Sequence, residues 1–144
     1  MVIDELKVYK PQIHKKTWGR EEWITNNTKY CSKILAIEKD KHCSLHCHYN
    51  RDKHFFVLRG KIKFEFQGSG FRNHKTIERF GKIKTVTLYK GDVVEIKRNL
   101  IHRFTGIEDD NVLLEISTEH REDDDHRIEP SYQERDQYDE DEEL

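Results

Sequence analysis

Three histidines in this chain are spaced so that they could share one metal ion. His46 and His48 alternate within Cys43-Ser44-Leu45-His46-Cys47-His48. Residues two apart on an extended strand point to the same face, so both imidazoles can reach a single divalent ion. Imidazole suits Zn, Fe, Ni and Cu. Two ligands do not complete a site, and His102 offers the third. It follows a turn at 97–101 and opens a strand, so a rigid element would aim its side chain.

The elements that must position these residues read as short strands. Residues 30–37, Tyr-Cys-Ser-Lys-Ile-Leu-Ala-Ile, form one, and 45–49 a shorter one bearing the two histidines. Residues 54–59 give a buried strand. Residues 61–67, Lys-Ile-Lys-Phe-Glu-Phe-Gln, alternate most cleanly, with Ile62, Phe64 and Phe66 inward. Further strands are expected at 83–89, 93–97, 103–107 and 112–118. The Asn26-Asn27 pair predicts a hairpin turn, because Asn tolerates positive φ. The glycine-containing, charged stretch 68–81 is expected to be a loop or hairpin tip. About nine or ten strands separated by turn signals, with no sustained 3.6-residue period, predict an all-β sandwich or barrel. A small β-barrel can hold one ligand in its mouth.

A chain of 144 residues suits a single domain. Only 34% of it is apolar and 38% is charged, so a compact β core under a charged surface is expected. The net charge of -2 gives no global attraction to nucleic acid or membrane. The charge is uneven: the chain beyond Thr118 is acidic and the body before it basic. No apolar leader region and no long apolar run are present, which predicts neither signal peptide nor transmembrane helix. Three cysteines, Cys31, Cys43 and Cys47, form no framework spacing and predict reduced, buried thiols in a cytoplasmic protein. Residues 1–15 are expected to be an N-terminal arm, 16–131 the β-barrel domain and 132–144 an acidic, disordered tail.

The histidine spacing resembles the two signatures of the cupins. His46-x-His48, position 53 and Gly60 match the first, and Gly91, position 97, Asn99 and His102 the second. The resemblance implies a single-domain jelly-roll β-barrel with one divalent metal held by His46, His48 and His102. Four departures stand out. Asp40 replaces the leading glycine of the first signature, and Lys97 and Asn99 replace the proline and glycine of the second. Lys53 stands where the family usually places a metal-binding glutamate, and an ammonium is a poor ligand. A three-histidine site completed by water, Asp52 in the carboxylate role, and loss of the metal are the alternatives.

A narrower resemblance, over about residues 16–131, is to the cupin domain of type II mannose-6-phosphate isomerases and to small sugar-biosynthesis cupins. It rests on Lys16-Thr17-Trp18-Gly19, Ser44-Leu45, Arg51, His54, Gly91-Asp92, His102-Arg103 and the closing Ser117-Thr118-Glu119-His120 with Asp124 and Arg127. It implies a metal-dependent sugar-phosphate isomerase with Zn, Fe, Mn or Ni. Lys53 or His54 would be the acid/base, and Arg51, Arg103 or Arg127 would hold the phosphate. A non-catalytic cupin binding a sugar or nucleotide sugar, and a three-histidine iron dioxygenase, are the competing readings. The run from His120 to His126 reads as a solvated acidic face with a structural role, Arg127 pairing to the body, rather than a second metal site. The N-terminal arm could add a strand to a partner barrel, which predicts a homodimer.

Overall fold

The computed structural model describes residues 2–3, 5–72 and 76–133. Thirteen strands follow one another among the described residues. They are β1 (Val2–Ile3), β2 (Leu6–Lys7), β3 (Gln12–Lys16), β4 (Gly19–Asn26), β5 (Cys31–Ile37), β6 (Leu45–Cys47), β7 (Lys53–Arg59), β8 (Lys61–Arg72), β9 (Thr76–Tyr89), β10 (Val93–Ile96), β11 (Ile101–Gly106), β12 (Asn111–Ser117) and β13 (His126–Glu129). A single 3₁₀ turn, Glu122–Asp124, precedes β13. The described residues contain no α-helix, and none of their helices is long and apolar enough to cross a membrane.

Two antiparallel sheets make the fold, a six-stranded one in the order β10-β7-β12-β5-β4-β3 and a five-stranded one in the order β13-β6-β11-β8-β9. The architecture is an all-β jelly-roll sandwich, not a barrel closed by one continuous ladder. Alternation drives it. In β5, Cys31, Lys33, Leu35 and Ile37 are buried while the residues between them are partly exposed. β7 buries Lys53, Phe55 and Val57, and β12 buries Leu113, Glu115 and Ser117. These inner positions meet side chains of the second sheet, chiefly Ile62, Phe64 and Phe104, in one apolar cluster that includes Trp18. Removing this much apolar surface from water is the main driving force available to so polar a chain.

The inner face is not uniform. Toward Ile37, Val57 and Leu113 it is apolar; toward Lys33, Lys53 and Glu115 it is charged, although these three are as buried as the core. The site lies at the charged end.

Two expectations are corrected. Residues 68–81 are largely strand, because β8 and β9 form one long hairpin with a register shift between Phe66 and Gly68. Two of its glycines are covered by an aromatic side chain: Phe80 lies opposite Gly68, and its ring comes within 3.2 Å of a Cβ placed on Gly70. Much of β9 is exposed, so the stretch carries loop-like polar composition while pairing as a strand. The acidic run beyond Thr118 is only in part a solvated face: Arg121, Glu122 and Asp123 are exposed, but the segment is anchored to the body. Asp124 is 6% exposed, and β13 pairs with β6.

At the N-terminus, β3 is the edge strand of the six-stranded sheet, and β1 and β2 pair with each other. The three cysteines are buried and free. Asn27 makes the expected turn, its side-chain oxygen accepting the amides of Lys29 and Tyr30. The acidic tail expected at 132–144 lies, from residue 134 on, outside the described residues.

Candidate metal centre and charged cavity

His46 sits on β6 directly opposite His102 on β11, and His48 follows one step beyond the end of β6. Their ring centroids are 4.4 Å apart for His46 and His102, 4.9 Å for His46 and His48, and 5.7 Å for His48 and His102. One ring nitrogen from each lies within 4.8 Å of the others.

Two non-glycine residues with positive φ set up this arrangement, Asp40 (φ 62) and Asn99 (φ 73). They occupy the two positions where the cupin signatures carry glycine. Asp and Asn tolerate the left-handed region better than other side chains, so the turns survive. The Asn99 amide donates to the His48 carbonyl at 2.7 Å, tying one histidine's backbone to the turn that presents His102.

Each imidazole is oriented through Nδ1. His46 Nδ1 lies 2.8 Å from the Ser44 carbonyl, His102 Nδ1 2.8 Å from the Leu100 carbonyl, and His48 Nδ1 3.1 Å from the Asp124 carbonyl. A carbonyl only accepts, so the proton sits on Nδ1 and the Nε2 lone pair is left for the interior. His102 Nε2 is buried and has no hydrogen-bond partner. Burial, and then the Lys53 charge, hold His46 down to about 4. Burial drives His48 and His102 well below the ordinary histidine value as well. Three neutral imidazoles with converging Nε2 atoms and carbonyl-anchored Nδ1 protons fit a divalent transition metal.

The fourth position departs from this pattern. Lys53 Nζ is 3.1 Å from His48 Nε2 and 3.9 Å from a Glu115 carboxylate oxygen. Burial lowers the Lys53 ammonium to about 8, with Glu115 opposing the shift. Burial would raise the Glu115 carboxyl, but Lys53, Arg51 and Lys33 outweigh it and hold it at about 2. Arg51 is held in the wall through each of its guanidinium nitrogens: it donates to Glu115, to Ser117 Oγ at 3.2 Å and to His120 Nδ1 at 2.9 Å.

The side chains His46, His48, Arg51, Lys53, Lys33, Glu115 and His120 line a cavity of about 110 Å³, with Arg127 and Lys16 also on its wall. Of the sequence-predicted residues, His46, His48, Arg51, Lys53 and Arg127 line this cavity, and His102 closes the imidazole cluster beside it. Three others lie elsewhere. His54 is on the outer face of β7, its side chain 49% exposed and 3.3 Å from Glu95. Arg103 is bound on the outside of β11 by Glu65 and Glu129. Asp52 pairs with Arg98 at 3.1 Å, away from the histidines.

Lys33, Glu115 and His120 were missed as site residues. The signal for two of them was strand phase, because Lys33 and Glu115 share the inward register of Leu35 and Leu113. His120, Glu122 and Asp125 also bring ligand atoms within 4.8 Å of one another. That cluster is built differently. His120 Nδ1 faces both Lys33 Nζ at 3.1 Å and Arg51, so it accepts and its proton sits on Nε2, toward Glu122 at 3.2 Å. A lone pair shared by two cations and a second nitrogen already donating make a structural latch, not a ligand set.

The sandwich and its converging histidines define a cupin. The family model described as "Mannose-6-phosphate isomerase C-terminal" matches residues 4–129, and the chain belongs to that family. Among solved structures it is similar to three other cupins. KdgF from Halomonas sp. is 14% identical with a TM-score of 0.57, over 72% of this chain and 81% of that one. CapF, the capsular polysaccharide assembling protein from Staphylococcus aureus, is 15% identical with a TM-score of 0.68, over 87% of this chain. This chain spans 33% of CapF. A variant of the oxalate decarboxylase of Bacillus subtilis is 10% identical with a TM-score of 0.64, over 82% of this chain and 30% of that one. At these identities the likeness shows the fold. No curated protein sequence matches the chain.

Proposed function

We propose that this chain is a metal-dependent isomerase of a sugar phosphate, with the reacting end of the substrate seated against His46, His48 and His102. The observation that carries the reading is the convergence of three Nε2 atoms whose Nδ1 protons are all anchored on main-chain carbonyls. When bound there, a divalent ion would supply Lewis-acid polarisation of the substrate's carbonyl and hydroxyl oxygens. The chain's own groups do the rest. Lys53 is buried beside the histidines and its ammonium is lowered to about 8, so near neutral pH a fraction is free amine. It takes the proton from the carbon next to the carbonyl and returns it to the former carbonyl carbon, while the hydroxyl proton passes to the former carbonyl oxygen. Arg51 offsets the negative charge that develops on the substrate oxygens. Arg127, exposed at the cavity wall, is placed to meet the far end of the substrate. His54 and Arg103 have no part in this scheme, because neither faces the cavity.

One observation favours a second reading, a binding cupin without turnover. The Lys53 ammonium already donates to His48 Nε2, the atom a metal would need. Elemental analysis of protein purified without chelator or histidine tag separates the two, beside a His102→Ala variant. The isomerase reading expects about one metal per chain, lost in the variant, and conversion of mannose 6-phosphate to the ketose. A protein that takes up none of Fe, Mn, Ni or Zn sinks it and leaves the binding cupin.

A further inference from the structure

We infer that the inner face of the six-stranded sheet holds an oxyanion subsite centred on Lys33, which takes a carboxylate or phosphate group of the ligand. This deepens the proposed function by locating the anionic part of the substrate, and it rests on that reading only for the substrate being a sugar derivative. Lys33 stands directly opposite Glu115 on the neighbouring strand, and Ser117 of that strand stands opposite Lys53. Lys33, Arg51 and Lys53 are 2%, 3% and 4% exposed, and one carboxylate, Glu115, is buried among them. Glu21, partly exposed, lies 3.8 Å from Lys33 but is already held by the Trp23 indole N–H at 2.8 Å. Against the five Lys and Arg side chains on the cavity wall stand four carboxylates, Glu122 and Asp125 being the other two, so one positive charge is left in excess. A buried charge without a counterion is costly, and an anionic ligand removes that cost.

The donor inventory points to the same atom. An ammonium carries three N–H donors. Lys33 Nζ makes one hydrogen bond, to His120 Nδ1 at 3.1 Å, and stands over the Trp23 ring at 4.1 Å. Its remaining donors have no acceptor within hydrogen-bond distance among the described residues, and its side chain lines the cavity. Arg51, by contrast, is fixed through all three of its guanidinium nitrogens, on Glu115, Ser117 and His120. Lys33 therefore binds the oxyanion, while Arg51 and Lys53 add charge behind it.

The test is calorimetric titration of the full chain at fixed ionic strength with inorganic phosphate, gluconate and neutral mannose. One site per chain for phosphate or gluconate, with mannose weaker, is expected; which anion binds tighter tells phosphate from carboxylate. Lys33→Met should weaken the anion by about tenfold or more, since a hydrogen bond to a charged group is lost. Lys33→Arg should restore it, and Lys63→Met, an exposed control outside the cavity, should change nothing. Wild-type protein gives a readout that needs no folded variant at position 33: the anion should alter the fluorescence of Trp23, and Trp23→Phe should remove that change. Mannose binding as tightly as both anions, or an unchanged anion affinity in Lys33→Met, overturns the subsite. Metal content is measured on the same samples. Metal without anion binding refutes the subsite alone, and anion binding without metal refutes the metal-dependent isomerase alone.

Discussion

His48 donates its Nδ1 proton to the carbonyl of Asp124, 3.1 Å away, so one of the three converging imidazoles is aimed by a residue 76 positions later in the chain. His46 and His102 are aimed by carbonyls only two residues behind them. The turn at Glu122–Asp124 is thus a part of the site. Asp124 fastens it: the carboxylate accepts the Tyr49 amide at 2.7 Å and the Asn50 amide at 3.0 Å.

Replacing Asp124 by Ala should therefore injure both fold and site. The two amides lose their acceptor, which costs about 1 kcal/mol or more in urea denaturation. His48 loses its fixed orientation, and divalent metal affinity should fall by about ten- to a hundredfold, the usual size of an outer-shell effect. Competition against a chromophoric chelator measures the second quantity. An unchanged affinity in a destabilised variant would mean that the Asp125 carboxylate, also 3.1 Å from His48 Nδ1, is enough to orient the ring.

Lys53 makes an opposite pair of predictions. Like charges about 4 Å apart repel by about 4 kcal/mol at an effective dielectric constant of 20. Lys53→Met removes the ammonium 3.1 Å from His48 Nε2, so metal should bind about tenfold tighter or more. The same variant should lose isomerase turnover, because its acid/base is gone. Glu115 keeps Arg51 as a partner, so the variant should stay folded. Tighter metal with undiminished turnover would remove Lys53 from the chemistry, and weaker metal would show that the amine helps to hold the ion.

Much of this was legible in the sequence, for reasons that differ by residue. His46, His48 and His102 carry a spacing that the strand pleat turns into proximity. The positive φ of Asn99 follows from its residue type at a turn position. Lys33 and Glu115 were harder, because a charged residue in a strand is ordinarily on the solvent face, and only its phase relative to Leu35 or Leu113 says otherwise. The segment after Thr118 was hardest. Its composition is that of a solvated tail, and nothing local indicates that Asp124 will find the amides of Tyr49 and Asn50. The β8–β9 hairpin was obscured in a related way: Gly68 and Gly70 are tolerated because Phe80 covers them, a cross-strand pairing visible only once register is known.

The pH dependence of stability has a definite sign. In metal-free protein His46 titrates at about 4 against 6.5 in an unfolded chain, with His48 and His102 shifted in the same direction. Between these values the unfolded chain binds more protons, so stability is full above 6.5 and falls as pH drops toward 4. Glu115, at about 2 against 4.5, extends the loss below pH 4.5. Lys53, at about 8 against 10.5, adds stability as pH rises through that range. Chelator-treated protein should thus have a lower urea midpoint at about pH 5 than at about pH 7, and His102→Leu should flatten that slope. Equal midpoints in the wild type would show that the imidazoles are not held neutral by the fold.

The last prediction concerns the turn before His102. Asn99 sits at φ 73, and its side-chain oxygen is buried with no hydrogen-bond partner. The side chain therefore contributes little beyond tolerating the left-handed backbone. For Ala that conformation costs about 1–2 kcal/mol, whereas for Gly it is nearly free. Asn99→Ala should lower stability by about 1 kcal/mol, and Asn99→Gly should match or exceed the wild type despite the extra freedom of glycine in the unfolded chain. The backbone bond from the Asn99 amide to the His48 carbonyl depends on the same φ, so Asn99→Ala should also weaken metal binding while Asn99→Gly leaves it intact. Urea midpoints and metal competition on the two variants decide it. Equal loss in both would mean that the Asn99 side chain itself, rather than its backbone angle, holds the turn.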